Sequence, residues 1–324
     1  MKSTFLSICA LLVATATSMS APVLAQPFPS KTIKVIVPYP AGGATDNLAR
    51  QLGTVIGEKV GQSVIVDNRA GGATVIAAQA LRQSAPDGYT IAIFDPSTVS
   101  MNQFLFKQLP YDPASIVPVT QLTRIHFGLM VRNDSPYKSV KEYVDAAKAK
   151  PGTITFGSSG AGNSVHLAGE RFKMVAGIDV THVPYKGGAP ALQDLIGGQI
   201  PSIWMDLTSA MPFIKAGQVR VLGVSSTKRS DALPDVPTFT EAGYQDFLAG
   251  SWFGVFVPTG TPAPIIAQLN TLFREAVSSA KITNWLKTVS LDAVTGTPAE
   301  FAGLIKSDAE SYGVVIKRIG FSID

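Results

Sequence analysis

Two segments of this chain combine glycines, hydroxyl side chains and the start of an amphipathic helix, a combination suited to holding an anion. The first is Tyr39-Pro40-Ala41-Gly42-Gly43-Ala44-Thr45-Asp46, entered from the β-rich run Lys34–Val37. The second, about 120 residues later, is Gly157-Ser158-Ser159-Gly160-Ala161-Gly162-Asn163-Ser164, entered from Thr153–Phe156. The first N–H groups of a helix have no partner inside the helix, and the helix dipole favours negative charge there. In the second segment Ser158, Ser159, Asn163 and Ser164 add side-chain donors, while Gly160 and Gly162 allow close backbone approach. Two such loops in two parts of one chain point to a cleft that grips an anionic small molecule from both sides. The second loop is not a dinucleotide fingerprint: Gly160-Ala161-Gly162 lacks the third glycine and the acidic residue about twenty positions on. No Walker A sequence is present either.

Other polar residues have two readings each. Asp206 ends a strand-like run and precedes Leu207-Thr208-Ser209; it is either a helix N-cap or a cleft carboxylate that accepts from a ligand ammonium or hydroxyl. Asp95-Pro96-Ser97-Thr98 has the same ambiguity at the end of another strand, with Ser97 a candidate contact. Lys186, beside Gly187-Gly188, is either solvated or adds positive charge at the cleft mouth. His166 is either a packing residue near a helix start or a ligand contact. The three histidines, at 126, 166 and 182, are not spaced as a metal pair, and no Gly-x-Ser-x-Gly elbow exists. Neither a metal nor a cofactor is expected.

The elements that must position these residues alternate between strand and helix. Strand-like runs are expected at Ile33–Val37, Val64–Asp67, Thr90–Phe94, Phe127–Val131, Thr153–Gly157, Val180–Val183, Ile203–Asp206, Val219–Val224 and Phe253–Val257. They are mostly continuous apolar runs, as in parallel strands covered on both faces. Leu48, Leu52, Val55 and Ile56 form one helical face closed by Gly61; Val165, Ala168, Phe172 and Val175 form another closed by Gly177. Helices at Ile265–Val277, Ile282–Val289 and Pro298–Arg318 are expected to pack on the first domain. Proline-punctuated stretches at 109–119 and 233–237 are the expected borders. They fit a middle domain, 120–222, inserted into a domain made of 26–119 and 223–324.

Residues 1–25 read as a secretory signal: Lys2 is the charged region, Phe5 to Val13 the apolar region, and Val23-Leu24-Ala25 the cleavage site. The apolar run is too short to span a bilayer. Cys9, the one cysteine, lies in this segment, so cysteine chemistry is excluded from the processed chain. The net charge is only +4 and the charges are dispersed, which argues against a nucleic-acid partner.

Several segments occur in an order that resembles one family. They are the first glycine loop, Asp67-Asn68-Arg69, Pro86-Asp87-Gly88-Tyr89-Thr90, Gly157-Ser158-Ser159-Gly160, His166-Leu167-Ala168-Gly169-Glu170, Val183-Pro184-Tyr185-Lys186-Gly187-Gly188 and Pro234-Asp235-Val236-Pro237-Thr238. The series is similar to that of the Bug family, periplasmic solute receptors of tripartite tricarboxylate transporters, over essentially the whole processed chain. The resemblance implies an α/β, two-lobed periplasmic binding protein of the type II-like form: two doubly wound sheets, a hinge, and a ligand cleft between domains. Known ligands of that family are mainly carboxylates, with some neutral or cationic vitamins. By the same resemblance, Tyr39 belongs to the first binding loop, the N–H groups of Ala41, Gly42, Gly43 and Ala44 would hold a ligand carboxylate, and Thr45 would add a hydroxyl. Asp46 reads as a cap, since a carboxylate facing an anion would repel it. A third loop, Ala70-Gly71-Gly72-Ala73-Thr74-Val75, would place Gly72 and Ala73 on the pocket floor, bulkier there than the family's usual Gly-Gly-Asn. Arg69 reads as a structural ion-pair partner.

The expected protein is therefore a monomeric periplasmic receptor, not an enzyme, that closes on a small carboxylate and delivers it to a membrane permease. A sensor presenting its ligand to a membrane kinase would share this fold and pocket. A secreted α/β enzyme is the more distant alternative.

Overall fold

The computed structural model describes residues 28–245, 247 and 249–323, so the expected signal segment lies outside the described residues. The first part of the chain runs β1 (Ile33–Val37), α1 (Ala44–Val60), β2 (Val64–Asn68), α2 (Val75–Arg82), β3 (Thr90–Phe94) and α3 (Asn102–Leu105), with a 3-10 turn at 72–74 and a wider π-helical turn at 97–101. Then come β4 (Ile116–Arg132), α4 (Val140–Ala149), β5 (Thr155–Ser158), α5 (Ser164–Ala176), β6 (Thr181–Pro184), α6 (Gly188–Ile196), β7 (Ser202–Asp206), α7 (Leu207–Lys215) and β8 (Val219–Val224). The chain ends with β9 (Gly250–Pro258), α8 (Ala263–Val277), α9 (Ala280–Thr288), β10 (Asp292–Ala293) and α10 (Pro298–Ile319).

The helix signals are realised locally. Gly61 and Gly177 end α1 and α5 in the left-handed conformation, at φ 68° and 62°. Leu48, Leu52 and Ile56 are buried, as are Val165, Ala168 and Phe172. Val175, expected on that same face, is instead exposed. Thr297 caps α10 and exchanges hydrogen bonds with Glu300, a reciprocal capping box ahead of Pro298.

Strand directions separate two lobes. In one, β1 pairs in parallel with β2 and β3; in the other, β5 pairs in parallel with β6 and β7. The strands that join them are antiparallel, unlike the expected parallel arrangement. β4 pairs with β9 over Ile116 to His126 and then with β7 and β8 over Phe127 to Arg132. One long strand thus passes from lobe to lobe between Ile125 and Phe127. The first expected border, at 119/120, falls inside this strand. The second also shifts. Residues 223–249 were expected in the first domain, yet Phe239 and Phe247 are fully buried in the second lobe against Phe172 and Trp204. Four aromatic rings in mutual contact hold that segment more strongly than a proline break can release it.

The C-terminal helices also do more than cover the first lobe. Val315 and Ile316 of α10 pack with Met101 and Leu105 from the first lobe and Leu167 from α5 of the second. The lobes are therefore linked by β4, by the chain entering β9, and by this apolar contact.

Candidate functional site

A cleft of about 610 Å³ opens between the lobes. From the first lobe its wall includes Tyr39 to Ala41, Gly43 to Thr45 at the start of α1, and Asp95 and Ser97 after β3. From the second lobe come Ser159 and Asn163 to Val165 at the start of α5, Gly187 and Gly188 at α6, and Asp206, Thr208 and Ser209 at α7. The joining strands and the chain end add Ile125, Phe127, Ser251, Phe253 and Leu291. Four helices thus begin at one cavity. Gly43, at φ −74° and ψ 171°, is the N-cap of α1, and the N–H groups of Ala44 and Thr45 carry no internal hydrogen bond among the described residues.

Several expected donors are already committed to the protein. The Gly42 N–H donates to Asp46 Oδ2 at 2.9 Å, so it is not available to a ligand, and Gly42 lies outside the wall. Asp46 is not the N-cap; from the first turn it reaches back to Gly42 and also accepts from Asn68 Nδ2 and bidentately from Arg50. The Arg50 guanidinium, followed by these hydrogen bonds, lowers its pKa to about 2. Ser158 Oγ donates to the Gly160 carbonyl at 3.0 Å and lies 2.7 Å from His182 Nε2, behind the wall. Asn163 caps α5 through the His166 N–H and donates to Ser159 Oγ, so its side chain is occupied although it lines the cleft. Asp46→Ala would leave the Gly42 N–H and Asn68 without their acceptor beside a buried site. We expect a loss of about 2–4 kcal/mol in urea unfolding. A loss below about 0.5 kcal/mol would show that the loop does not depend on this carboxylate.

Five further expected contacts lie away from the cleft wall. Gly72 and Ala73 are exposed, because the Ala73 carbonyl is held by Asn102 Nδ2 at 2.8 Å and Thr74 is tied to Thr98. Gly160, at φ 156°, has its N–H directed to Ser158 Oγ at 3.3 Å. Lys186 is exposed. His166 is 5% exposed and faces a second cavity of about 600 Å³ on the other side of the loop. There its Nδ1 accepts from the Gly162 N–H at 3.0 Å, and its ring stacks on His182 at 3.8 Å. Burial, followed by the neighbouring His182, lowers its pKa to about 3. Arg69 pairs with Asp67 at 3.0 Å, the structural role its position suggested.

Tyr39 donates its hydroxyl to Asp95 Oδ2 at 2.5 Å, and Ser97 N–H donates to Asp95 Oδ1 at 3.0 Å. Asp206 caps α7 by accepting from the Ser209 N–H at 2.7 Å, the structural reading, and its residue also lines the cleft. The apolar wall, Ile125, Phe127, Phe253, Leu291 and Met205, was missed because its members come from distant strands. The sequence signal for the α6 start was Gly187-Gly188, which line the cleft where the neighbouring Lys186 does not. Among the described residues no group of three or more His, Cys, Asp and Glu side chains could hold a metal ion, and no helix is long and apolar enough to cross a membrane.

Two α/β lobes joined by crossing strands, with helix starts from both facing one cleft, define a two-lobed solute-binding protein. The profile of the tripartite tricarboxylate transporter family receptor matches residues 48–321. Protein BugT of Bordetella pertussis is 33% identical over 317 residues, 97% of each chain. Among solved structures, a Rhodopseudomonas palustris protein with adipate superposes with a TM-score of 0.80 at 33% identity, covering 91% of this chain and 99% of that one. MatC from Rhodopseudomonas palustris with bound malate gives 0.75 at 29% identity, covering 89% and 100%. The chain belongs to the tripartite tricarboxylate transporter receptor family, and its fold is that of the periplasmic binding proteins.

Proposed function

We propose that this receptor binds a small carboxylate-bearing metabolite in the cleft, without chemical turnover, and presents it to the membrane permease of a tripartite tricarboxylate transporter. The observation that carries the reading is the convergence of four helix starts, α1, α5, α6 and α7, on one cavity whose described wall contains no lysine, arginine or histidine. Fixed N–H groups and helix dipoles are then the positive elements available to an anion. The ligand contacts we propose are Ala44 and Thr45 of the first loop, with Gly43 lying against the ligand, and Ser159, Ser164, Gly188 and Ser209 from the second lobe. A solute touching both lobes favours the closed form, because only that form makes both sets of contacts. We place the lobe borders at 126/127 and 249/250, where the chain crosses, and the hinge at those crossings. We further propose export to the periplasm by the segment 1–25, cleaved after Ala25.

Thermal unfolding in the presence of matched acid and amide pairs tests the anion reading. A ligand at a hundred times its Kd stabilises the native state by about 2.7 kcal/mol. At roughly 2–4 °C per kcal/mol, an accepted acid should raise the midpoint by about 5–10 °C. Its amide, neutral and bringing an NH₂ donor against N–H donors, should give little shift at the same concentration. Equal shifts for acid and amide would move the assignment to a neutral-solute receptor.

A further inference from the structure

We infer that the chain has a second anion site, behind the strands that join the lobes, and that it takes inorganic phosphate, a tetrahedral oxyanion that still carries a proton at neutral pH. The site is separate from the ligand cleft and does not rest on the carboxylate reading of it. Successive side chains of a strand point to opposite faces. Where β4 crosses between the lobes, Ile125 and Phe127 line the cleft, while Arg124 and His126 line a cavity of about 310 Å³ on the other face. β9 alternates likewise, with Phe253 toward the cleft and Trp252 toward that cavity. The rest of its wall includes Arg171 of α5 and Thr227 from the second lobe, and Ser307 and Asp308 of α10. The cationic side chains absent from the cleft wall are thus gathered behind it.

Both arginines are half-buried. Arg171 Nη1 donates to Ser311 Oγ at 3.0 Å, which fixes its head at the cavity wall. Arg124 makes no side-chain hydrogen bond or ion pair with a described residue, and neither do Thr227 and Ser307. His126 is taken by Asp292 at 2.7 Å, so the guanidiniums are the donors left to an anion. Asp308 supplies the selectivity. Its Oδ2 accepts from Trp252 Nε1 at 2.6 Å, and no described residue donates to its other oxygen. Burial raises its pKa, and Arg124 and Arg171 oppose that rise, so the three charged groups lie within electrostatic reach of one another. Two guanidiniums against one carboxylate leave the cavity positive. An oxyanion between them accepts from N–H groups, and a P–OH group of phosphate can also donate to Asp308. Sulfate carries no proton at neutral pH and would meet Asp308 as like charge.

The test is calorimetry at pH 7 and fixed ionic strength on the signal-free chain, with inorganic phosphate and sulfate as probes. Phosphate should bind with a Kd at or below about 1 mM, and about fivefold or more tightly than sulfate. Arg124→Gln should weaken phosphate by about tenfold or more. Ser307→Asp should do the same by adding a negative charge, at an exposed helix position where the fold is not at stake. Gly43→Val obstructs the cleft on the other face and should change phosphate affinity by less than about twofold. Asp308→Asn keeps an acceptor for Trp252 and should bring the preference for phosphate over sulfate below about twofold. No binding of phosphate, or binding that survives both Arg124→Gln and Ser307→Asp, would overturn the inference. Phosphate binding lost in Gly43→Val would place the ion in the cleft and overturn it as well. Equal affinities for phosphate and sulfate in the unaltered chain would reject the assignment of a protonated oxyanion. None of these results bears on the carboxylate reading of the cleft, which the acid and amide pairs test separately.

Discussion

Acidification from pH 7 to pH 4 should cost the folded protein about 3 kcal/mol through His166 alone. Its pKa falls from 6.5 to about 3 because burial and the stacked His182 disfavour its charged form. Between those values the unfolded chain binds more protons than the folded one, so stability is complete above pH 6.5 and declines as pH falls toward the folded value. His182, lowered to about 4 chiefly by burial, acts in the same direction and adds less because it is partly exposed. Lys173 of α5 lowers both pKa values further, and Glu170 and Arg318 face the same cavity. Both rings buttress the loop that lines the cleft, through Gly162 and Ser158. Ligand affinity should therefore weaken over the same pH range. Urea unfolding at pH 7, 5.5 and 4 reads the effect, with His166→Gln as the control that lacks this titration. An identical pH slope in the variant would remove His166 from the account.

Gly43→Val should abolish most ligand binding while leaving the protein folded. The backbone of Gly43 is extended, and an added Cβ meets only the Pro40 carbonyl oxygen at 3.5 Å, so the protein tolerates a side chain there. The branched side chain would occupy the space a carboxylate needs to approach the α1 N–H groups. We expect at least a tenfold loss, about 1.4 kcal/mol or more. The loss of the glycine cap costs stability only modestly. Gly42→Val should behave differently. Its φ of +86° strains any branched residue, and its N–H serves Asp46, so the damage should appear first in stability. Normal affinity in Gly43→Val would place the ligand elsewhere in the cleft. Greater loss of affinity than of stability in Gly42→Val would restore Gly42 to the contact set.

The sequence by itself determined what is locally encoded. β1, β3 and β8 have the bounds their apolar runs predicted, and α1 and α5 end at the glycines that marked them. Both glycine loops sit at helix starts, because glycine, asparagine and serine there answer to backbone geometry a few residues away. Tertiary structure decided which donors survive for a ligand. Gly42 is spent on Asp46, Ser158 on Gly160, and Asn163 on its own helix and Ser159, while Tyr39 is anchored to Asp95, 56 residues away. It also decided that β4 runs unbroken through an expected border, that Phe239 and Phe247 belong to the second lobe, and that His166 faces away from the cleft. The physical reason is range. Periodicity and capping are set by neighbours along the chain, whereas hydrogen-bond partners, ring stacks and cavity walls are set by residues that only folding brings within contact distance.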